Sequence, residues 1–298
     1  MSVASFVSVT SVEEAVAAMA AGARPVAGGT DLVVGARQGK APLPASIVAI
    51  DRVADLRGIT ELDGALRLGA LATHEEIAAH PLVRERFTAL ADASAIVGSH
   101  ATRAQGTIGG NLMNASPAME SGGPLMCLGA SVMLTSPRGS HWVPVADLFT
   151  GPGSTVAQPD ELLVAVDVPA PAEGTGSCYV RLEYRRQMEI AVVGATAAVT
   201  LDGGVVTEAH VSITALAPTI RRVPEAEEAL AGSDGGAKAV AAAAAAAARG
   251  SAPISDVRAS EGYRRAMAEV IARRAIAGAL ARARGEHVSI PASSGGAS

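Results

Sequence analysis

Cysteine is scarce in this chain: two in 298 residues, Cys127 and Cys178, neither in a CxxC pair. Two separated thiols cannot supply the four ligands of an iron–sulfur cluster, so no such cluster is expected within the chain. No disulfide is expected either, and both thiols read as buried and inert. An excess of positive charge is also missing. The net charge of −5 argues against nucleic acid or an anionic membrane as partner, since both require a basic face. No basic residue precedes Arg24, so the charged n-region of a secretory signal is lacking. The longest apolar run, Ala239 to Ala248, is about half of the roughly 20 residues that span a bilayer. No membrane insertion and a cytoplasmic location are therefore expected.

Several catalytic signatures are missing too. None of the six histidines pairs with another at i, i+4 or sits beside a cysteine, so no metal site is suggested. There is no G-x-S-x-G for a serine hydrolase. What remains is a soluble globular composition, 49% hydrophobic and 18% charged with only 2% aromatic residues, long enough for two domains.

The opening reads strand, helix, strand: Phe6–Val9, a helix begun by a Ser11/Glu14 capping box and stopped at Gly22, then Arg24–Ala27. A strand at Ser46–Ile50, a hairpin about Asp63-Gly64 and a second capping box, Thr73 with Glu76, come next. His74, inside that box, reads as a solvated residue at a helix start. A helix follows Pro81, and strands are expected at Ala130–Thr135 and His141–Val145. The stretch Pro169–Ser177 is the best linker. Beyond it, Ala191–Leu201 and Ala209–Ala215 pair across Asp202-Gly203-Gly204. Helices then follow at Pro224–Leu230, Ala237–Ala248 and Val257–Arg284, the second read as helix because alanine is the best helix former.

Two glycine pairs stand out: "AGGTDL", Ala27–Leu32, and "TIGGN", Thr107–Asn111. Backbone N–H groups in glycine turns form a concavity of partial positive charge, and glycine lets an anion approach closely. One such loop is ordinary; two, each with a threonine hydroxyl beside it, fit a diphosphate gripped from both sides. The pair Gly109-Gly110 is expected to adopt positive φ. Neither loop matches G-x-G-x-x-G or G-x-x-x-x-G-K-[ST], so neither a Rossmann site nor a P-loop is indicated.

Those two motifs, with "NASPAME" (Asn114–Glu120), "FTGPGST" (Phe149–Thr155) and "RRQMEIAVV" (Arg185–Val193), occur in an order that resembles the FAD-binding medium subunits of the xanthine dehydrogenase and carbon monoxide dehydrogenase family of molybdenum hydroxylases. The stretch Ala252–Met267 resembles that family's C-terminal domain. The resemblance implies that Val26, Ala27, Gly28, Gly29, Thr30, Asp31 and Leu32 wrap one side of the FAD diphosphate. Thr107, Ile108, Gly109, Gly110 and Asn111 would wrap the other. Glu120 stands where the family's acid touches the flavin end, Arg181 where it has a lysine, and Leu163 matches a residue packing near the ring. No proton-transfer residue is assigned. For Glu120 and Arg181 a surface or interface charge stays open, as do an anion clamp and an interface ion pair for Arg185-Arg186.

The expectation is therefore an α+β protein. Residues 1–171 form a two-lobed FAD-binding domain of the vanillyl-alcohol-oxidase-like (PCMH) type, and 177–286 a small antiparallel sheet with packed helices. A flexible tail, 287–298, follows. By resemblance, electrons pass from [2Fe–2S] clusters of a small partner subunit through FAD here to an external acceptor. Molybdopterin sits in a large partner subunit, and the assembly is a dimer of heterotrimers. The alternatives are a flavin-less structural or regulatory relative of this fold and a self-contained flavin oxidase.

Overall fold

The structure, a computed structural model, describes residues 3–39, 41–185 and 187–292. Arg186 and the end of the expected tail, 293–298, lie outside the described residues. Three small sheets, each with its own helices, and one two-stranded ribbon make the α+β architecture that the sequence implied.

The first unit contains β1 (Ser5–Ser8), α1 (Val12–Ala20), β2 (Arg24–Val26), α2 (Thr30–Arg37) and β3 (Ser46–Ala49). Its strands run parallel in the order β1-β3-β2, as helical crossovers require. Ser11 caps α1 by accepting from the Glu14 N–H at 3.2 Å. Only half of the expected box forms, because Glu14 accepts from the N–H of Thr10 rather than that of Ser11. Gly22, at φ +94°, ends the helix. Ala15, Val16 and Met19 bury with Val48 and Ile50. Helix α2 was not foreseen: it buries none of its residues, so no apolar periodicity announced it.

The second unit starts with the hairpin of β4 (Ile59–Leu62) and β5 (Ala65–Gly69), turned through Asp63 and Gly64 at positive φ. Six short helices follow: α3 (His74–Ala79), α4 (Pro81–Arg86), α5 (Thr88–Ile96), α6 (His100–Arg103), α7 (Ile108–Asn114) and α8 (Gly122–Cys127). Then come β6 (Ser131–Ser136), β7 (Gly139–Pro144), α9 (Val145–Leu148), β8 (Phe149–Gly151), β9 (Ser154–Thr155) and β10 (Leu162–Val168). The five long strands form one antiparallel sheet, β4-β5-β10-β6-β7. Alternate strand residues such as Leu66, Leu68, Val132 and Leu134 meet Phe87, Ile108 and Leu112 of the helices.

The third unit is the antiparallel sheet β11 (Thr175–Leu182), β12 (Val193–Asp202), β13 (Val205–Thr214) and β14 (Arg221–Arg222), covered by α10 (Pro224–Glu228), α11 (Ala237–Arg249) and α12 (Glu261–Ala283). The β12–β13 hairpin turns through Gly203 and Gly204, both at positive φ, as the sequence predicts. Strand β11 begins inside the stretch read as a linker, because Thr175 to Ser177 already pair with Thr200 to Ala198. The alanine run is helical, and Ala243 and Ala247 pack against the small residues Ala268, Ala272 and Ala275 of α12. Among the described residues, no helix is long and apolar enough to cross a membrane.

A buried ion pair ties the second unit to the third. Asp92 of α5 accepts from Arg282 of α12 at 2.6 and 3.0 Å, and from the N–H groups of Tyr179 and Ala292 at 3.1 and 3.0 Å. Asp92 is fully buried. Removing it would leave the buried Arg282 guanidinium without a counter-charge, held only by backbone oxygens such as those of Ser177 and Ser289, and would leave two N–H groups without their acceptor. Asp92→Ala should therefore destabilise the chain by about 3–5 kcal/mol in urea unfolding, and a loss below about 1 kcal/mol would show that the pair does not join the units.

Candidate functional site

The two glycine loops end up against each other. The first leaves β2 and enters α2, with Gly29 as the cap residue at φ +68°. The second leads from Gln105 into α7, capped by Thr107. At Gly28 a Cβ would lie 1.8 Å from the carbonyl oxygen of Gln105, so only glycine permits this approach. At Gly106 a Cβ would lie 3.6 Å from the Thr30 hydroxyl and 3.5 Å from the His74 ring. The seam between the first and second units is therefore lined by backbone from both.

The loops differ in what their N–H groups do. In the second, Ile108 donates to Ala72 O, Gly109 to Ala70 O, Gly110 to the Thr107 hydroxyl and Asn111 to Thr107 O. Every N–H of that first turn is used. Gly109 and Gly110 are helical with ordinary negative φ, which corrects the expectation of positive φ there. Gly109 is needed for a different reason: a Cβ would strike Ala70 at 2.8 Å. In the first loop, no acceptor among the described residues takes the N–H of Gly28, Gly29, Thr30 or Leu32. These groups sit at a helix N-terminus, where the peptide dipoles add partial positive charge. That arrangement can hold an anion. It fits a diphosphate as the sequence suggests, with the first loop as the donor side.

The remaining candidates divide. Val26 and Ala27 lead into the first loop, and Asp31 lies in the first turn of α2. Asn111 turns its side-chain oxygen inward to accept from Ser121 at 2.5 Å. Ile108 and Leu163 belong to one core cluster and present no polar group to the seam. Glu120 and Arg181 are buried and bonded to each other at 2.5 Å, so neither is a surface charge. Arg181 also holds Glu183, from Nε at 2.8 Å and from its terminal nitrogen. Burial pushes the Glu120 carboxyl above its ordinary value, with Arg181 opposing. Burial also acts against the Arg181 cation, but Glu120 and Glu183 outweigh it and the guanidinium stays charged. Arg185 pairs with Glu189 at 3.3 Å on the surface.

Both thiols are buried as expected, and burial pushes Cys127 up to about 12. His74 is a correction. It is the first residue of α3, yet its ring is buried and its Nδ1 has no partner among the described residues. Its N–H donates to Gly106 O at 3.0 Å, which pins the ring under the second loop. A capping sequence specifies the backbone there, not which way the ring points.

Two family models match the chain: the FAD binding domain in molybdopterin dehydrogenase over residues 2–171, and the CO dehydrogenase flavoprotein C-terminal domain over residues 179–279. The chain is 32% identical to the carbon monoxide dehydrogenase medium chain of Afipia carboxidovorans, over 88% of this chain and 90% of that one. It is 30% identical to the xanthine dehydrogenase FAD-binding subunit of Escherichia coli O157:H7, over 89% and 91%. Its fold superposes with a TM-score of 0.90 on the structure of carbon monoxide dehydrogenase from Hydrogenophaga pseudoflava lacking the Mo-pyranopterin moiety of its cofactor. That match is 32% identical and covers 93% of this chain and 97% of that one.

The buried ring of His74 yields a pH signature. Burial, reinforced by the Arg103 cation, lowers its pKa to about 4 from the usual value near 6.5. The unfolded chain therefore takes the proton first, and stability is lost as pH falls from about 6.5 to about 4. His74→Gln should lose less stability than wild type across that window. The gap between the two should grow to about 3 kcal/mol in denaturant unfolding at pH 7 and 4. Parallel curves would place the ring in water.

Proposed function

The chain belongs to the family of FAD-binding medium subunits of molybdenum hydroxylases, and from that premise we propose how its residues serve a flavin. It is the flavoprotein subunit of an oxidoreductase. In this reading residues 1–171 are the FAD-binding domain and 177–286 the C-terminal domain. The diphosphate lies along the seam between the glycine loops. The N–H groups of Gly28, Gly29, Thr30 and Leu32 donate to its oxygens, with Val26, Ala27 and Asp31 shaping that side. From the second loop, the Thr107 hydroxyl, which accepts from the Gly110 N–H, and the side-chain N–H groups of Asn111, whose oxygen is held by Ser121, complete the cradle. Gly109 and Gly110 keep side chains out of it, and Ile108 and Leu163 hold the cradle from the core. One observation carries this: the N–H groups of Gly28, Gly29, Thr30 and Leu32 have no acceptors among the described residues, beside a second loop that has spent its own. A flavin-less relative would have no need to keep them bare.

Glu120 and Arg181 stand at the flavin end as a bonded pair rather than as two separate contacts. A guanidinium held by two carboxylates is rigid, unlike a lysine ammonium in the same place, and its charge is balanced by the carboxylates that hold it. FAD, when bound, supplies the electron chemistry, and the chain places it and tunes its surroundings. Electrons enter from the iron–sulfur clusters of a small partner subunit, fed by the molybdopterin centre of a large one, and leave to an external acceptor. Two copies of each of the three chains make the assembly. The substrate is chosen by the large subunit.

The purified chain should carry one FAD that acid precipitation releases into the supernatant, with no stoichiometric iron or molybdenum. Gly28→Ala should fold yet bind FAD at least 100-fold more weakly by isothermal titration, about 3 kcal/mol, because the added methyl drives the loops apart. Affinity within a factor of two of wild type would contradict the seam as the binding site.

A further inference from the structure

Buried guanidinium groups in this chain come with carboxylates. Arg181 is held by Glu120 and Glu183, Arg264 by Asp256 at 2.7 Å and Arg282 by Asp92 at 2.6 Å. Arg103 is the exception. It is 8% exposed, yet it forms no ion pair among the described residues. Its guanidinium donates to Val97 O at 3.1 Å and to His100 Nδ1 at 3.1 Å. A guanidinium has only donors, so that imidazole must accept and is neutral there. The other N–H groups of Arg103 find no acceptor among the described residues. Glu75 acts on it only from a distance, at an exposed position on α3, and burial pulls the Arg103 pKa below its ordinary value. A charge held out of water with neutral partners alone is costly, and this one has no role in joining elements as Arg282 does.

Its place in the fold gives it a use. Arg103 is the last residue of α6, two before Gln105, whose carbonyl stands against Gly28 across the seam. The N–H of Gly106 returns to Thr102 O at 2.6 Å, which clasps the end of α6 to the second loop. The His74 ring lies beside Gly106, and the Arg103 charge is felt there. The cation therefore stands at the back of the second loop.

That loop has no free N–H in its first turn, so it offers an anion no donor of its own backbone. On the facing side, Asp31 brings a carboxylate into the turn that carries the bare N–H groups. A diphosphate, with a negative charge on each phosphate, needs more positive charge than one helix end provides beside that acid. Arg24, at the start of β2, is exposed, where water and salt weaken its field. Arg103 is buried, and a charge acting across packed backbone is felt more strongly than the same charge across water.

We propose that Arg103 is the counter-charge of the bound diphosphate: it attracts the anion across the second loop, and the anion provides the opposite charge that the buried guanidinium lacks. Arg103 is a positioning residue, acting through the loop in front of it. The proposal rests on the FAD reading for the molecule that carries the diphosphate. The chemistry of the site asks only for the diphosphate itself.

The test is isothermal titration of the full chain, freed of flavin, with FAD, ADP and inorganic pyrophosphate, beside the melting temperature of the flavin-free chain. Arg103→Gln should weaken all three ligands at least tenfold, since they share the diphosphate. It should leave the flavin-free melting temperature unchanged or raised, because it removes a charge that has no partner in that state. Arg103→Lys keeps the charge without the planar fork and should bind all three within about threefold of wild type. A structural role would show the reverse pattern: both variants melting lower, with Lys no better than Gln. Diphosphate affinity within a factor of two of wild type in Arg103→Gln, or a tenfold loss in Arg103→Lys, would overturn the proposal. The Lys variant decides the matter even where Arg103→Gln does not fold. FAD bound equally by wild type and Arg103→Gln would leave the FAD reading standing without the counter-charge. Wild type that binds ADP and pyrophosphate tenfold more tightly than Arg103→Gln, yet does not bind FAD, would count against the FAD reading and leave the counter-charge in place.

Discussion

The site depends on one steric condition: the backbone of Gly28 must lie against the carbonyl of Gln105. Any side chain at Gly28 would collide with that oxygen. With glycine there, a loop at the carboxyl end of a parallel strand meets a loop at the start of a helix in the next unit. The ends of open α/β strands leave backbone free for ligands, and here the N–H groups of Gly28, Gly29, Thr30 and Leu32 have no acceptor among the described residues. The second loop has the opposite character. Its N–H groups are anchored to Ala70, Ala72 and Thr107, which makes it a fixed wall for the first to face.

Charge is organised by the same economy of space. Asp92 and Arg282 join α5 to α12 with every polar atom of the carboxylate engaged, and so lock the third unit onto the second. Glu120, Arg181 and Glu183 sit across that same junction with one carboxyl too many. The first cluster is balanced and structural. The second carries one more carboxyl than guanidinium, and burial raises the Glu120 carboxyl above its ordinary value.

Much of this was legible in the sequence. The glycine pairs, the order of the motifs and the hairpins at Asp63-Gly64 and Gly203-Gly204 follow from local rules that glycine's freedom at positive φ makes strong. The helix of small residues at Ala237–Arg249 follows from propensity alone. Other features depend on tertiary contact and left no local trace. Helix α2 buries nothing, so no periodicity marks it. The ring of His74 points inward although its capping motif is the same whichever way it turns. Asp92 is one acid in an apolar helix, and its partner lies 190 residues further on. Glu120 and Arg181 could be read as candidates, but only the fold shows that they are one pair.

The central claim is that the open N–H groups of the first loop hold the diphosphate, with the second loop as its wall. Amide NMR of the ¹⁵N-labelled flavin-free chain titrated with FAD reads this directly. The account predicts large downfield shifts at Gly28, Gly29, Thr30 and Leu32, with smaller changes at Ile108, Gly109, Gly110 and Asn111. Shifts concentrated in the second group, with the first loop unmoved, would contradict it.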